Sequence, residues 1–156
     1  MAVISDDAVL DEVRRTWGTV RIFQAKVKTN LFAGMQGLGG VPQSMEFWDL
    51  SHSLVLLFAF SVLEDVLKQV RTEQGLKCGP QLGAMKDASR DMLPWADFDT
   101  VDTARECRNE LAHDQVIPPR ADSWEYIDAI ERELIAWEIL DGPVKAEYTI
   151  TSGKME

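Results

Sequence analysis

Between Ser44 and Gly75 the chain runs for some thirty residues, "MEFWDLSHSLVLLFAFSVLEDVLKQVRTEQ", without a glycine or a proline. Ser44 can accept from the first free N–H groups of a helix, so the spacing predicts one from about Met45 to about Gln74. Its centre, "LVLLFAFSVLEDVL", is apolar on nearly all sides. A helix of that kind needs neighbours around it, so it belongs in the middle of a bundle. The uninterrupted apolar run, Leu54 to Phe60, is far shorter than the roughly 18 residues that span a bilayer. It is expected to lie in a protein core.

The rest of the chain supplies those neighbours. Ser5 can cap a first helix, with Asp6 and Asp7 in the turn where carboxylates complement the helix dipole. Val9, Val13, Trp17, Val20, Val27 and Leu31 recur at helical spacing, up to "LFAGMQGLGGVPQ", where glycines and a proline forbid regular structure. At most a short helix fits in the stretch after Gly75, from about Leu82 to Met92. A third main helix starts after Asp97 or Asp99 and runs through "TVDTARECRNELAHD" until "VIPPR" ends it. Asp122 and Glu125 form a capping-box pattern before Ile127, Ile130, Leu134 and Trp137, and Gly142-Pro143 stops that fourth helix. The reading is all-α: a four-helix bundle over residues 1–142 with one additional short helix. In the tail, 143–156, Val144, Ala146, Tyr148 and Ile150 alternate with polar residues. That pattern fits a draped terminus or a short strand that pairs with another chain.

Composition limits the function. The 156 residues suit one domain, and 46% apolar content is enough for one sizeable core. A net charge of -10 argues against coating nucleic acid through a broad basic surface, but leaves room for contact with a few phosphates. Cys78 and Cys107 have no CxxC or paired-histidine context, so they read as reduced thiols of a cytoplasmic protein and not as metal ligands. The acidic N-terminus has no signal-peptide pattern. "GMQGLGG" lacks the lysine and the preceding strand of a phosphate loop. Arg14, Arg15, Arg21, Lys26 and Lys28 make the first helix the most basic region, a candidate rim for an RNA groove.

The chemistry concentrates in "RNELAH", Arg108 to His113. At about 100° per residue, Ala104, Cys107 and Leu111 fall on the core side of the third main helix. Arg105, Asn109 and His113 form an open stripe, and Arg108 lies between that stripe and the core edge. Glu106 and Glu110 lie beyond the stripe. Cleaving RNA needs a base for the ribose 2′-OH, an acid for the departing 5′-oxygen, and positive charge against the phosphorus. A histidine titrates near neutrality. An arginine grips phosphate bidentately and keeps its charge. An asparagine can orient either group. One chain offers a single such histidine, so acid and base roles together call for two copies. Arg105 is expected to pair with Asp102 and to touch phosphate only as an auxiliary. His52, at the start of the apolar helix, reads as a structural histidine.

This pattern resembles HEPN domains, the higher eukaryote and prokaryote nucleotide-binding domains. The resemblance rests on Arg108-Asn109-Glu110-Leu111-Ala112-His113, late in the third main helix of a bundle and followed by a loop and one long helix. It implies a metal-independent endoribonuclease with no cofactor, acting as a homodimer on RNA. It also implies service as a toxin or antiviral-defence effector, with a cognate antitoxin protein as partner. It assigns phosphate contact to Arg108, a supporting polar role to Asn109 and an essential catalytic role to His113. Where many members carry a small residue after the histidine, this chain has Asp114. The rival reading is a non-catalytic HEPN-like module that binds a nucleotide or a partner protein and regulates it.

Overall fold

A computed structural model describes residues 3–35 and 45–144, with backbone only for residues 30–35. Among the described residues there are five helices and no strand: α1 (Asp7–Met35), α2 (Met45–Gln74), α3 (Leu82–Ser89), α4 (Phe98–Asp114) and α5 (Arg120–Ala136). The four-helix bundle with one short extra helix is therefore the observed architecture. The glycine-rich 36–44 connection, the Ser44 cap, the Leu31 side chain and the alternating tail from residue 145 lie outside the described residues.

The central helix α2 packs chiefly against α5 and α1, and less extensively against α3 and α4. Its buried arc includes Val55, Leu56, Ala59, Phe60, Leu63, Val66 and Leu67. These meet Val13, Trp17 and Val20 of α1 and Ile127, Ile130 and Leu134 of α5 in one core. One expectation is corrected here. The apolar centre of α2 is not surrounded, because Leu50, Leu54 and Phe58 stand exposed on an outer stripe. By length and hydropathy α2 could cross a membrane, but twelve of its residues are buried in the bundle.

The helix ends refine the sequence reading. Asp6, not Ser5, caps α1, accepting from the N–H groups of Ala8 (3.0 Å) and Val9 (3.3 Å). Ser5 instead bonds to Glu73 at the far end of α2. Gly75 ends α2 in the left-handed conformation, φ 67°, which a side chain would disfavour. α3 stops at Ser89, three residues short of the expected end. Asp97 caps α4 as expected, its side chain accepting from Thr100 N at 3.2 Å. α5 starts at Arg120, on the Pro119 carbonyl, ahead of the Asp122 box. It ends at Ala136, well before Gly142, because Trp137 to Leu140 turn back into the core.

The loop before α4 is fixed from below. The buried Glu133 carboxylate of α5 accepts from the backbone N–H of Ala96 (2.8 Å) and of Asp97 (2.7 Å). Burial pushes its pKa above the usual carboxylate value, with those two bonds opposing the rise. Trp95 packs edge-on against Trp137, ring centres 4.8 Å apart. The start of α4 is thus pinned to α5, which sets the direction in which its C-terminal half projects.

Candidate functional site

α4 buries Val101, Ala104 and Leu111, while Cys107 is only half-buried. Cys107 and Arg108 are both half-buried and flank the line through Val101, Ala104 and Leu111, so Arg108 sits at the core edge as expected. Arg108 leans inward towards α2, and its Nε is fully buried without a hydrogen-bond partner. Nη1 donates to Asn109 Oδ1 over a long 3.3 Å. Nη2 stands 4.0 Å from Glu64 Oε2 of α2. Three donor nitrogens thus share one weak hydrogen bond and one loose ion pair.

His113 projects from the last turn of α4 and is exposed. No hydrogen bond or ion pair holds its imidazole among the described residues. The turn behind it is tight. Gln115 adopts a left-handed conformation, φ 57°, and its N–H and that of Val116 both reach the Glu110 carbonyl. Arg108 and Asn109 are joined by the Nη1 bond, while His113, four residues after Asn109 and five after Arg108 on the same helix, bonds to neither.

Arg105 takes the bland place foreseen for it. Its Nε and Nη2 donate to Asp102 Oδ1 at 3.2 and 3.1 Å. The same carboxylate pairs with the buried Lys86 of α3, and these cations hold the Asp102 carboxyl below its ordinary pKa, Lys86 contributing most. The guanidinium also lies over Gly83, where an added Cβ would sit 3.5 Å from Nη1. It packs on α3 and is not drawn towards His113.

The opposite flank of α4 excludes some chemistry. A shallow cleft of about 310 Å³ lies between α4, the Val116–Pro119 loop and α5, with Glu106, Glu110 and Asp122 on its walls. Burial, aided by Glu110 and Asp122, pushes the Cys107 thiol up and so keeps it protonated and a poor nucleophile. Those carboxylates also repel a phosphodiester. Among the described residues, no three His, Cys, Asp or Glu side chains are grouped to hold a metal ion.

The expected basic rim on α1 is largely consumed by the fold. Arg14 Nε donates to the Ile139 carbonyl at 2.7 Å. Arg15 pairs with Glu12 and Arg21 is buried against Glu131 and Asp128. Lys28 lies 4.7 Å over the Trp124 ring. Among the described residues, only Lys26 of the five stands exposed without an ion pair or hydrogen bond. His52 is structural, as expected: fully buried, with Nδ1 accepting from Trp124 Nε1 at 2.9 Å. Sequence reasoning missed Glu64 and Lys68. Their i, i+4 spacing was legible, but nothing along the chain announces that Glu64 faces Arg108.

Compared with known proteins, the chain matches no protein-family model, no curated protein and no solved structure.

Proposed function

We propose that the protein is a metal-independent endoribonuclease that works as a homodimer, with Arg108, Asn109 and His113 at its active site. The observation that carries this reading is the contrast along one helix: an under-bonded arginine at 108 and an exposed, unpartnered imidazole at 113. Arg108 would neutralise the phosphate and Asn109 would steady its guanidinium. An imidazole would take the proton of the 2′-OH as that oxygen attacks phosphorus. The P–O5′ bond breaks, a second imidazolium protonates the departing oxygen, and a 2′,3′-cyclic phosphate remains.

The second imidazole would come from another copy. A surface suited to self-association exists: Leu50, Leu54 and Phe58 of α2, with Phe23 of α1, form an exposed apolar face beside a groove of about 530 Å³. In the cell we assign the activity to a cytoplasmic toxin or antiviral-defence effector, silenced by a cognate antitoxin protein.

The test is incubation of purified protein with single-stranded RNA in the presence of chelator. Cyclic-phosphate ends that disappear in His113→Ala and Arg108→Ala are expected. Equal cleavage in both variants would show a contaminant. One observation favours the rival, non-catalytic module: the Glu64 carboxylate already faces Arg108. For that reading, expression causes growth arrest neither in the wild type nor in His113→Ala, and partner binding is equal in both.

A further inference from the structure

Glu64 sits between two cations from different helices. Its Oε2 faces Arg108 Nη2 of α4 at 4.0 Å, and its Oε1 faces Lys68 Nζ, one turn along α2, at 3.3 Å. All three side chains are partly open to solvent, at 31% for Arg108, 26% for Glu64 and 50% for Lys68. We propose that the Glu64 carboxylate is an intramolecular stand-in for a substrate phosphate, and that Lys68 and Arg108 together form the seat a phosphodiester takes when it displaces Glu64. This inference rests on the nuclease reading for its substrate but not for its geometry.

Three features carry it. The bonds to be given up are weak, since the Arg108 contact lies at the outer limit of an ion pair and an exposed pair such as Glu64–Lys68 is worth little. The group to be gained is stronger: a phosphate offers several oxygens, and the Nη2 that faces Glu64 has no hydrogen bond to give up. The charge then balances, because one anion replaces another between the same two cations. An acidic chain with net charge -10 gains by this arrangement. Anions of modest affinity are turned away, and only a ligand that engages both cations opens the seat.

The test uses His113→Ala full-length protein, so that bound RNA survives, with a labelled single-stranded oligoribonucleotide as probe. Removing the stand-in with Glu64→Gln should tighten binding roughly threefold to tenfold. Adding Lys68→Gln should abolish that gain. Asp65→Asn makes the same change in net charge at the neighbouring position, where no ion pair forms among the described residues, and should leave binding nearly unchanged. In parallel, phenylglyoxal should modify Arg108 faster in Glu64→Gln than in the parent, and inorganic phosphate should protect it. Equal gains from Glu64→Gln and Asp65→Asn, or an unaltered Arg108 modification rate, would overturn the proposal. Absence of cleavage by the wild type would defeat the nuclease reading alone, since neither readout here depends on turnover.

Discussion

Two arginines show how one residue type serves two ends in this bundle. Arg21, in the seam between α1 and α5, has every nitrogen committed: Nε to Glu131 at 2.7 Å, Nη1 to Gln24 at 2.7 Å and Nη2 to Asp128 at 2.9 Å. The Glu131 oxygen that it meets also accepts from the buried Trp17 indole at 2.6 Å. Arg108, at the edge of α4 and α2, has one long bond, one ion pair at the limit and one orphan nitrogen. Burial of a charge is tolerated when its donors are fully met, and such a group is structural. A half-sheltered cation left under-bonded costs stability and gains nothing for the fold. The difference separates a structural arginine from one that, on the proposed reading, meets a ligand.

Exchanging the two roles by mutation gives the strongest test. Arg108→Ala or His113→Ala should lower RNA cleavage by about 100-fold or more, the scale of a lost proton-transfer or charge-stabilising group. Urea melts of Arg108→Ala should stay within about 1 kcal/mol of the wild type, because so few of its bonds are good. Arg21→Ala should do the reverse. It strands Glu131, 6% exposed, beside Trp17, and should cost about 3 kcal/mol of stability while leaving cleavage per folded molecule unchanged. A stable Arg21→Ala protein, or an unfolded Arg108→Ala one, would erase the distinction.

A smaller effect should follow from pH at His52, where α2 meets Trp124 of α5. Burial, with Lys28 and Arg120 nearby and Asp49 only partly opposing, lowers the His52 pKa from 6.5 to about 4. The imidazole must stay neutral for Nδ1 to accept from Trp124. Between those two values the unfolded chain binds the proton and the folded chain does not. Stability is therefore complete well above pH 6.5, falls as pH drops through the window and levels off below about 4, and about 2 kcal/mol of that loss lies between pH 7 and pH 5. Intrinsic tryptophan emission during urea unfolding at pH 7 and pH 5 measures it. His52→Gln retains an acceptor but no titration, and should flatten that part of the profile. Superimposable profiles would mean that His52 is not sheltered as described.

The contrast between the seams also explains what the sequence made legible. Repeating apolar spacing reports which residues face inward, so Trp17, Val20, Ile127, Ile130, Leu134 and Trp137 were readable, and all are buried. Asp97 announced its helix by a side chain that acts within three residues. Longer-range partners were not readable. Nothing along the chain says that Arg21 finds Glu131, 110 residues away, or that Arg108 finds Glu64. A basic first helix therefore looked available when Arg14, Arg21 and Lys28 were engaged by the fold. The "RNELAH" stretch named the candidate residues but not the α2 carboxylate that their arginine faces.

The least effect should come from the turn that presents His113. Gln115 is left-handed, φ 57°, where a residue with a Cβ pays about 1–2 kcal/mol and where helices prefer glycine. At the end of α2 that place is held by Gly75, φ 67°. Gln115→Gly should relieve the strain at α4, but glycine also raises the entropy of the unfolded chain, which takes back about 0.5–1 kcal/mol. The net gain expected is about 0.5 kcal/mol, read as a shift of the urea midpoint at unchanged slope. Cleavage decides what the strain is for. If the left-handed turn merely ends the helix, the variant should cleave at the wild-type rate, since glycine keeps the same backbone path. A gain in stability with a severalfold fall in rate would instead mean that the Gln115 side chain helps to aim the imidazole two residues before it. That result would place the tightness of this turn, and not only the looseness of Arg108, among the features that distinguish the α4 end from the buried seam.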